Sequence, residues 1–158
     1  MKNKIISFFA GIVISIYSFG ASAVTEVVWW DFLGGGDGVR MKQMIDNFNE
    51  AHPDIQINAT TLEWGVPFYT KVQTSAAVGE QPDIMTYHLS RFPLAVPTGV
   101  LRPISAEELA SVGITADRFF PANWEAANFG GATHGVPLDI HANVMYFNAE
   151  VLGEAGLL

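Results

Sequence analysis

Two histidines and one aspartate form a first set of side chains that could do chemistry: His88, Asp139 and His141. Asp139 and His141 are two positions apart, so they lie on the same side of the chain if that segment is extended. The three side chains could bind a metal ion, act as acid and base, or hydrogen-bond a polyhydroxylated ligand. Because the spacing is loose and a fourth ligand is not evident, we predict hydrogen bonding rather than a metal site. We interpret His52 and His134 as structural histidines.

Large aromatic side chains form a second candidate set, because a flat ring can lie against the C–H face of a sugar while neighbouring groups bond its hydroxyls. Packing in the core is the competing use of such rings. Trp29 and Trp30 are adjacent in a predicted strand, so they point to opposite faces and at most one is expected to contact a ligand. We assign the stacking face to Trp30 and keep Trp64 as a weaker candidate. Trp124 lies on a predicted helical stripe with two phenylalanines and is expected in the core.

A glycine-rich loop, Gly34–Gly38, follows the first predicted strand. Glycines let backbone N–H groups approach a ligand closely, and the start of a helix adds positive potential there. The loop lacks the spacing of a phosphate-binding or dinucleotide-binding motif. It is therefore either a ligand-contacting loop or only a flexible turn. Asp31, just before the loop, is a candidate carboxylate for bonding hydroxyls, and Asp37 within the loop is a weaker one.

Alternating strands and helices are predicted to position these residues. The predicted elements are a strand at Glu26–Phe32, a helix with an apolar stripe of Met41, Met44, Ile45 and Phe48 that ends at His52-Pro53, a strand from Ile55 to Ala59, a helix with Pro67 in its first turn that ends at Gly79, and a strand at Ile84–Tyr87. This alternation favours an α/β fold with a mostly parallel sheet, because parallel neighbours need crossover helices. Loops at the carboxyl ends of such strands line one crevice, and here they are Asp31–Gly38, Glu63–Gly65 and His88–Arg91.

The remainder of the chain is predicted to be more irregular. Its predicted elements are a helix from the capping box of Ser105 and Glu108 to Val112, a helix that opens at Thr115 or Asp117 and buries Phe119, Phe120 and Trp124, a turn at Gly130-Gly131, a strand at Asn143–Phe147, and a helix capped by Asn148 that ends at Gly156.

The amino terminus has the pattern of a cleaved signal peptide. Lys2 and Lys4 precede an almost wholly apolar stretch at residues 5–16, and Ala21-Ser22-Ala23 is a small-x-small cleavage site. A membrane anchor is the alternative, but the apolar stretch is short for crossing ~30 Å of hydrocarbon. The mature protein is therefore expected to begin at Val24 and to be free in the periplasm, since the chain has no cysteine for a lipid anchor.

Charge and composition exclude some classes of partner. Cleavage takes Lys2 and Lys4 from the 8 basic residues, so 6 remain against 16 acidic ones and the net charge falls from −8 to −10. Nucleic acid is not an expected partner, because phosphate binding needs clustered Lys and Arg. Without cysteines, stability must come from an apolar core.

Five short motifs occur in order along the mature chain: Trp30–Gly38, Phe48–Ile55, Gly79–Ile84, Gly99–Pro103, and a set from Gly135-Val136-Pro137 through Tyr146-Phe147-Asn148 to Ala155-Gly156-Leu157. Together they resemble the family of extracellular solute-binding proteins that serve carbohydrate ABC importers. His88 and Asp139-Ile140-His141 also resemble segments that recur near the sugar and hinge in its monosaccharide-binding branch.

The resemblance implies a periplasmic-binding-protein-like fold of two α/β lobes that close over one sugar. After the signal peptide at 1–23, it implies a first lobe at 24–137, a hinge crossover at 138–143, and the beginning of a second lobe at 144–158. Members of the family usually run to several hundred residues, so the chain is expected to be an amino-terminal fragment. A product of this length is expected to bind sugar weakly or not at all and to aggregate.

The leading hypothesis is a periplasmic receptor that captures a sugar, delivers it to a membrane permease and needs no cofactor. The predicted ligand-binding residues are Trp30, Asp31, Asp37, Trp64, His88, Asp139 and His141. One alternative is a secreted glycoside hydrolase that uses two carboxylates such as Asp31 and Asp139. Another is a structural or adhesive protein of the cell envelope, which predicts no saturable binding of small ligands.

Overall fold

A computed structural model of the protein describes residues 23–158. The predicted signal peptide, apart from its last residue, lies outside the described residues. Within the described part of the chain, no helix is both long and apolar enough to cross a membrane.

The described chain contains a succession of strands and helices joined by short loops. The strands are β1 (Thr25–Asp31), β2 (Ile55–Thr61), β3 (Ile84–Met85), β4 (Asn128–Phe129) and β5 (Ala132–Thr133). The helices are α1 (Gly35–Ala51), α2 (Val66–Ala77), α3 (Phe92–Ala95), α4 (Ala106–Ser111), α5 (Pro121–Ala126) and α6 (Ala149–Glu154). Two 3₁₀ turns lie at Leu89–Arg91 and Ala116–Arg118.

A parallel sheet of three strands, in the order β2-β1-β3, organises the amino-terminal part. Strand β1 is central, with Thr25 opposite Ile55 and Trp29 opposite Ile84. Helices α1 and α2 make the crossovers that parallel pairing requires. The predicted α/β fold with a parallel sheet is thereby confirmed.

Apolar side chains pack on both faces of the sheet. Trp29 packs on one face, against buried residues of the α1 side: Leu33, Met41 and Ile45. Trp30 packs on the other face, against what we call the α2 cluster: Phe68, Tyr69 and Val72, with partly buried neighbours that include Phe32 and Tyr87. The predicted opposite orientation of the two tryptophans is confirmed, and the sheet is covered on both sides as expected for a parallel sheet.

The first turn of α1 lies directly against the end of the preceding loop. The Gly38 N–H donates to the Gly34 carbonyl at 3.2 Å. A Cβ atom on Gly38 would lie 2.4 Å from the Leu33 carbonyl oxygen, which is closer than van der Waals contact allows. This approach therefore requires glycine and fixes where α1 begins relative to β1.

Several predicted caps and turns are confirmed. The Ser105 hydroxyl accepts from the Glu108 N–H at 3.1 Å and the Glu108 carboxylate accepts from the Ser105 N–H at 2.7 Å, which completes the capping box of α4. Gly130 and Gly131 both have positive φ and join β4 to β5. The Asn148 side chain caps α6 by accepting from two backbone N–H groups.

The single helix predicted to begin at Thr115 or Asp117 is instead a 3₁₀ turn followed by α5. Phe120 lies between them with φ −60° and ψ 131°, because the ring of Pro121 disfavours helical geometry in the residue before it. Phe120 is 71% exposed rather than buried. Phe119 stacks on Trp124, with ring centroids 5.2 Å apart.

The strand predicted at Asn143–Phe147 is wrong, since these residues have no regular secondary structure. A strand needs a neighbouring strand to bond its backbone groups, and none of the described strands pairs with this segment. Met44, predicted on the inner stripe of α1, is also exposed.

Candidate ligand-binding crevice

A cleft of about 360 Å³ lies where the three parallel strands end. Four of the predicted ligand-binding residues line it: Asp37, Trp64, His88 and His141. The other lining residues are Phe32, Leu33, Gly34, Ala142 and Asn143. Residues after β1, β2 and β3 thus meet the 141–143 segment, which is the meeting of loops that parallel topology predicts at the carboxyl ends of strands. We call this cleft the crevice.

The first turn of α1 and the turn after β2 bring a carboxylate and an indole to the crevice. Asp37 lies in the first turn of α1 and is exposed, with its Oδ1 3.9 Å from an Arg40 guanidinium nitrogen. Trp64 lies in the turn before α2 and is 66% exposed, so much of its ring is available to a ligand. Gly65, beside it, has φ 90° and ψ −139°, a conformation open almost only to glycine.

His88 follows β3 and is held in place by its neighbours. Its ring stacks on Phe32, with ring centroids 4.8 Å apart and planes 16° apart. Its Nδ1 is hydrogen-bonded to the hydroxyl of Tyr69, a buried residue of α2. The Arg91 guanidinium lies over the Tyr69 ring, with Cζ 4.1 Å from the ring centroid. These contacts give the imidazole one fixed orientation.

The surroundings of His88 favour its neutral form. Burial lowers the pKa of His88, and the nearby His141 and Arg91 lower it further, while Asp139 opposes this with a smaller effect. Burial likewise raises the pKa of Tyr69 above its ordinary value, against the opposing effect of Arg91. Both groups are therefore uncharged near neutral pH: the imidazole has one donor and one acceptor nitrogen, and the phenol keeps its proton.

His141 and Asp139 form an exposed pair at the edge of the crevice. His141 Nε2 lies 2.8 Å from Asp139 Oδ2, which agrees with the prediction that the two side chains share one side of the chain. His141 lines the crevice. Asp139 lines a separate hollow of about 520 Å³, together with Phe120, Leu138 and other residues of the 117–123 and 137–140 segments.

Besides Asp139, two other predicted ligand residues do not line the crevice. Trp30 packs in the α2 cluster, and the Lys71 ammonium lies 5.1 Å from its ring centroid. Asp31 is only 3% exposed, and its Oδ1 accepts from the Leu33 N–H at 3.0 Å. In the described structure these side chains support the sheet and the first loop, and their contact with a ligand stays a prediction.

Tyr69 is a contact of His88 that sequence reasoning missed, and Arg91 is included only as the end of the predicted His88–Arg91 loop. The sequence predicts the helix that begins near Pro67, but it carries no sign that Tyr69 reaches the histidine after β3. Only the packing of α2 against the end of β3 shows this contact.

Side chains that could hold a metal do not gather in the described part of the chain. Among residues 23–158, no group of three or more His, Asp or Glu side chains lies close enough to share an ion.

The fold and the crevice define a class: an α/β lobe with a crevice at the carboxyl edge of a parallel sheet. The chain belongs to the family described as bacterial extracellular solute-binding protein, whose model matches residues 35–158. The predicted resemblance is thereby confirmed.

Curated relatives of this chain carry names of sugar and sugar-alcohol binders. The chain is 26% identical over 145 residues to an arabinooligosaccharide-binding protein of Halalkalibacterium halodurans, an alignment that covers 90% of this chain and 32% of the relative. It is 25% identical over 125 residues to a mannitol-binding protein of Pseudomonas aeruginosa, covering 79% of this chain and 28% of the relative. The chain thus spans about a third of the length of these relatives.

A solved structure shows the same fold. The galacto-N-biose-/lacto-N-biose I-binding protein of the ABC transporter from Bifidobacterium longum, solved with lacto-N-biose, matches with a TM-score of 0.62 at 23% identity. The match covers 74% of this chain and 29% of the other. The periplasmic-binding-protein-like architecture predicted from the sequence is therefore confirmed.

Proposed function

We propose that this chain forms the first lobe of a periplasmic receptor that captures a sugar and delivers it to the membrane permease of an ABC importer. The observation that carries the proposal is the meeting of Asp37, Trp64, His88 and His141 in one crevice. An exposed indole face, a carboxylate and two imidazoles are the groups that bind a polyhydroxylated ring: the indole covers its C–H face and the polar groups bond its hydroxyls.

The proposed boundaries are a first lobe at 24–137, a hinge crossover at 138–143 and the beginning of a second lobe at 144–158. Within the described chain, every buried residue lies between Asp31 and His134. Residues 138–148 are exposed and have no regular secondary structure. This distribution is the one expected if the core of the first lobe ends before the crossover and the later residues pack elsewhere.

We further propose that the receptor does not alter its ligand. The family and the named relatives are binding proteins. A glycoside hydrolase needs two carboxylates that face the scissile bond. Of the two that the sequence offered for this role, Asp31 is buried and bonded to the backbone, and Asp139 is paired with His141.

Isothermal titration calorimetry tests the proposal on the complete gene product, which in the proposed organisation carries both lobes and is called the full-length protein below. The titrants are mannitol, arabinotriose, lacto-N-biose and glucose, and glycine is a chemically unrelated control. We expect saturable binding of at least one of the sugars or the sugar alcohol, and none of glycine. After prolonged incubation, chromatography should recover arabinotriose and lacto-N-biose unchanged. If none of the four titrants bound, the proposal of sugar capture would be contradicted. Cleavage of either oligosaccharide would contradict the proposal that the receptor does not alter its ligand.

A further inference from the structure

The imidazole of His88 has only one polar edge left for a ligand. One ring face is covered by Phe32, and Nδ1 is occupied by the Tyr69 hydroxyl. His88 nevertheless lines the crevice. The nitrogen that remains for a ligand is Nε2, so the chemistry of the site depends on whether Nε2 carries a proton.

The location of that proton follows from the groups around Tyr69. Tyr69 keeps its phenolic proton near neutral pH and can donate it. Arg91, which lies over the Tyr69 ring, has donors only and cannot accept this proton. Nδ1 of a neutral His88 is therefore the acceptor within reach, and accepting there leaves the single imidazole proton on Nε2.

We infer that Tyr69 is a positioning residue of the crevice: by donating to Nδ1 of His88 it fixes the Nε2–H tautomer, so that His88 presents an N–H donor to an oxygen acceptor on the ligand. The ligand part of this inference rests on the proposed function, while the tautomer does not. A hydroxyl oxygen fits such a donor, whereas a ligand N–H at the same place would be repelled.

The same contact opposes protonation of His88. An imidazolium carries protons on both nitrogens, so Nδ1–H would face the Tyr69 hydroxyl proton and the phenol would have to turn away. The ionisable groups that also act on the pKa of His88 are His141 and Arg91, which lower it, and Asp139, which raises it. Removal of the Tyr69 hydroxyl leaves these three in place.

Nuclear magnetic resonance of the full-length protein with 15N-labelled imidazoles tests the inference without any ligand. Two-bond 1H–15N correlations distinguish a pyridine-type nitrogen from a pyrrole-type nitrogen, and a His88→Gln variant assigns the signals. In the unmodified protein at neutral pH we expect a pyridine-type Nδ1 and a pyrrole-type Nε2. Tyr69→Phe should shift both signals towards averaged tautomers and should raise the pKa of His88.

Tyr87→Phe is the matched control, because Tyr87 packs in the same cluster with its ring 5.1 Å from that of Tyr69. It should leave the His88 tautomer unchanged. Backbone amide spectra of both variants show whether the fold is kept. If Tyr69→Phe fails to fold, Tyr69→Leu replaces it, with the same expected change in the His88 nitrogen signals.

A protonated Nδ1 in the unmodified protein, or an unchanged tautomer in Tyr69→Phe, would overturn the inference. Because these measurements involve no sugar, they fail or succeed independently of the proposed function. For a sugar that binds in the calorimetric panel, Tyr69→Phe should weaken binding by roughly two- to tenfold, the effect of misplacing one hydrogen bond.

Discussion

The two histidines of the crevice differ in how firmly they are held. His88 is stacked on Phe32 and bonded to Tyr69, a buried residue of a twelve-residue helix. His141 is exposed in a segment without regular secondary structure, and its polar contact is with Asp139, which is also exposed. A preorganised group loses less conformational entropy when a ligand binds. We therefore assign the larger contribution to affinity to His88.

Replacement of His88 by alanine is expected to weaken sugar binding by several-fold or more. The variant loses the proposed hydrogen bond from His88 to the sugar, worth about 0.5–1.5 kcal/mol, and the imidazole surface that Phe32 and Tyr69 hold in the crevice. Calorimetry with the best-binding titrant measures the change. His52→Ala is the matched control, because His52 is exposed and lies at the opposite end of α1 from the crevice. Unchanged affinity in a variant with alanine at both His88 and His141 would show that the crevice is misplaced.

The lowered pKa of His88 makes stability depend on pH in a defined direction. The unfolded chain takes up the proton at about pH 6.5, while the folded chain takes it up only at lower pH. Below about pH 6.5 the unfolded state therefore binds more protons, and the free energy of unfolding falls as the pH falls towards the folded pKa. Urea unfolding between about pH 5 and 7 should show a steeper loss in the unmodified protein than in His88→Gln. If the free energy of unfolding depended on pH equally in the two proteins, a lowered pKa of His88 would be contradicted.

At the scale of elements, the start of α1 depends on a glycine that sits against the preceding loop. Gly38→Ala places a methyl group 2.4 Å from the Leu33 carbonyl oxygen, which is part of the backbone and cannot rotate away. We expect the free energy of unfolding to fall by about 1–3 kcal/mol, as overpacking usually costs, in urea unfolding experiments. The crevice should be distorted too, because Leu33 and Gly34 line it.

Gly36→Ala is the control for this effect, since it changes the same helical turn. A Cβ atom on Gly36 meets nothing within 4 Å. Alanine is favoured over glycine in helices, so this variant should be neutral or more stable by up to about 1 kcal/mol. Equal destabilisation by the two variants would show that the close contact with Leu33 is not the cause.

Elements determined by local sequence were predictable, and those determined by distant contacts were not. The capping box of Ser105 and Glu108 and the side-chain cap at Asn148 depend on residues within three positions, and both were confirmed. The strand predicted at 143–147 had suitable residues but has no neighbouring strand to pair with in the described chain. At Phe120 the helical apolar spacing was overridden by the following proline.

The candidate site follows the same division. Parallel topology alone brings the ends of β1, β2 and β3 together, so the sequence is sufficient to group Asp37, Trp64 and His88. Topology does not decide where a side chain at the end of a strand turns. Trp30 turns into the α2 cluster and Asp31 bonds the Leu33 N–H, and both depend on tertiary packing.

At the scale of the whole molecule, the proposed periplasmic location requires removal of residues 1–23. Edman degradation or mass spectrometry of protein recovered from the periplasm should find Val24-Thr25-Glu26 at the amino terminus. A variant with Ala21 and Ala23 replaced by lysine should accumulate with Met1 retained, because signal peptidase needs small residues at both positions. Recovery of the unmodified protein with Met1 retained would contradict the proposal.

The carboxyl-terminal part of the described chain has an unusual share of exposed apolar surface. Met145 is 87% exposed and Tyr146 92% exposed. Other large apolar residues of the segment are also exposed: Val144, Phe147, Val151, Leu157 and Leu158. In the proposed two-lobe organisation these side chains pack in the second lobe. Exposed apolar side chains in such number promote association.

A polypeptide of residues 24–158 is therefore expected to self-associate in size-exclusion chromatography with light scattering, with an apparent mass that rises with concentration. Met145→Ser with Tyr146→Ser should weaken the association by roughly tenfold or more, because a buried large apolar side chain contributes about 1.5–3 kcal/mol. Both residues are exposed, so the fold should tolerate the change. Ala155→Ser, an exposed substitution in the same segment that removes no large apolar group, should leave the association unchanged. If the polypeptide of residues 24–158 stayed monomeric at high concentration, the prediction that these exposed apolar residues cause self-association would be wrong.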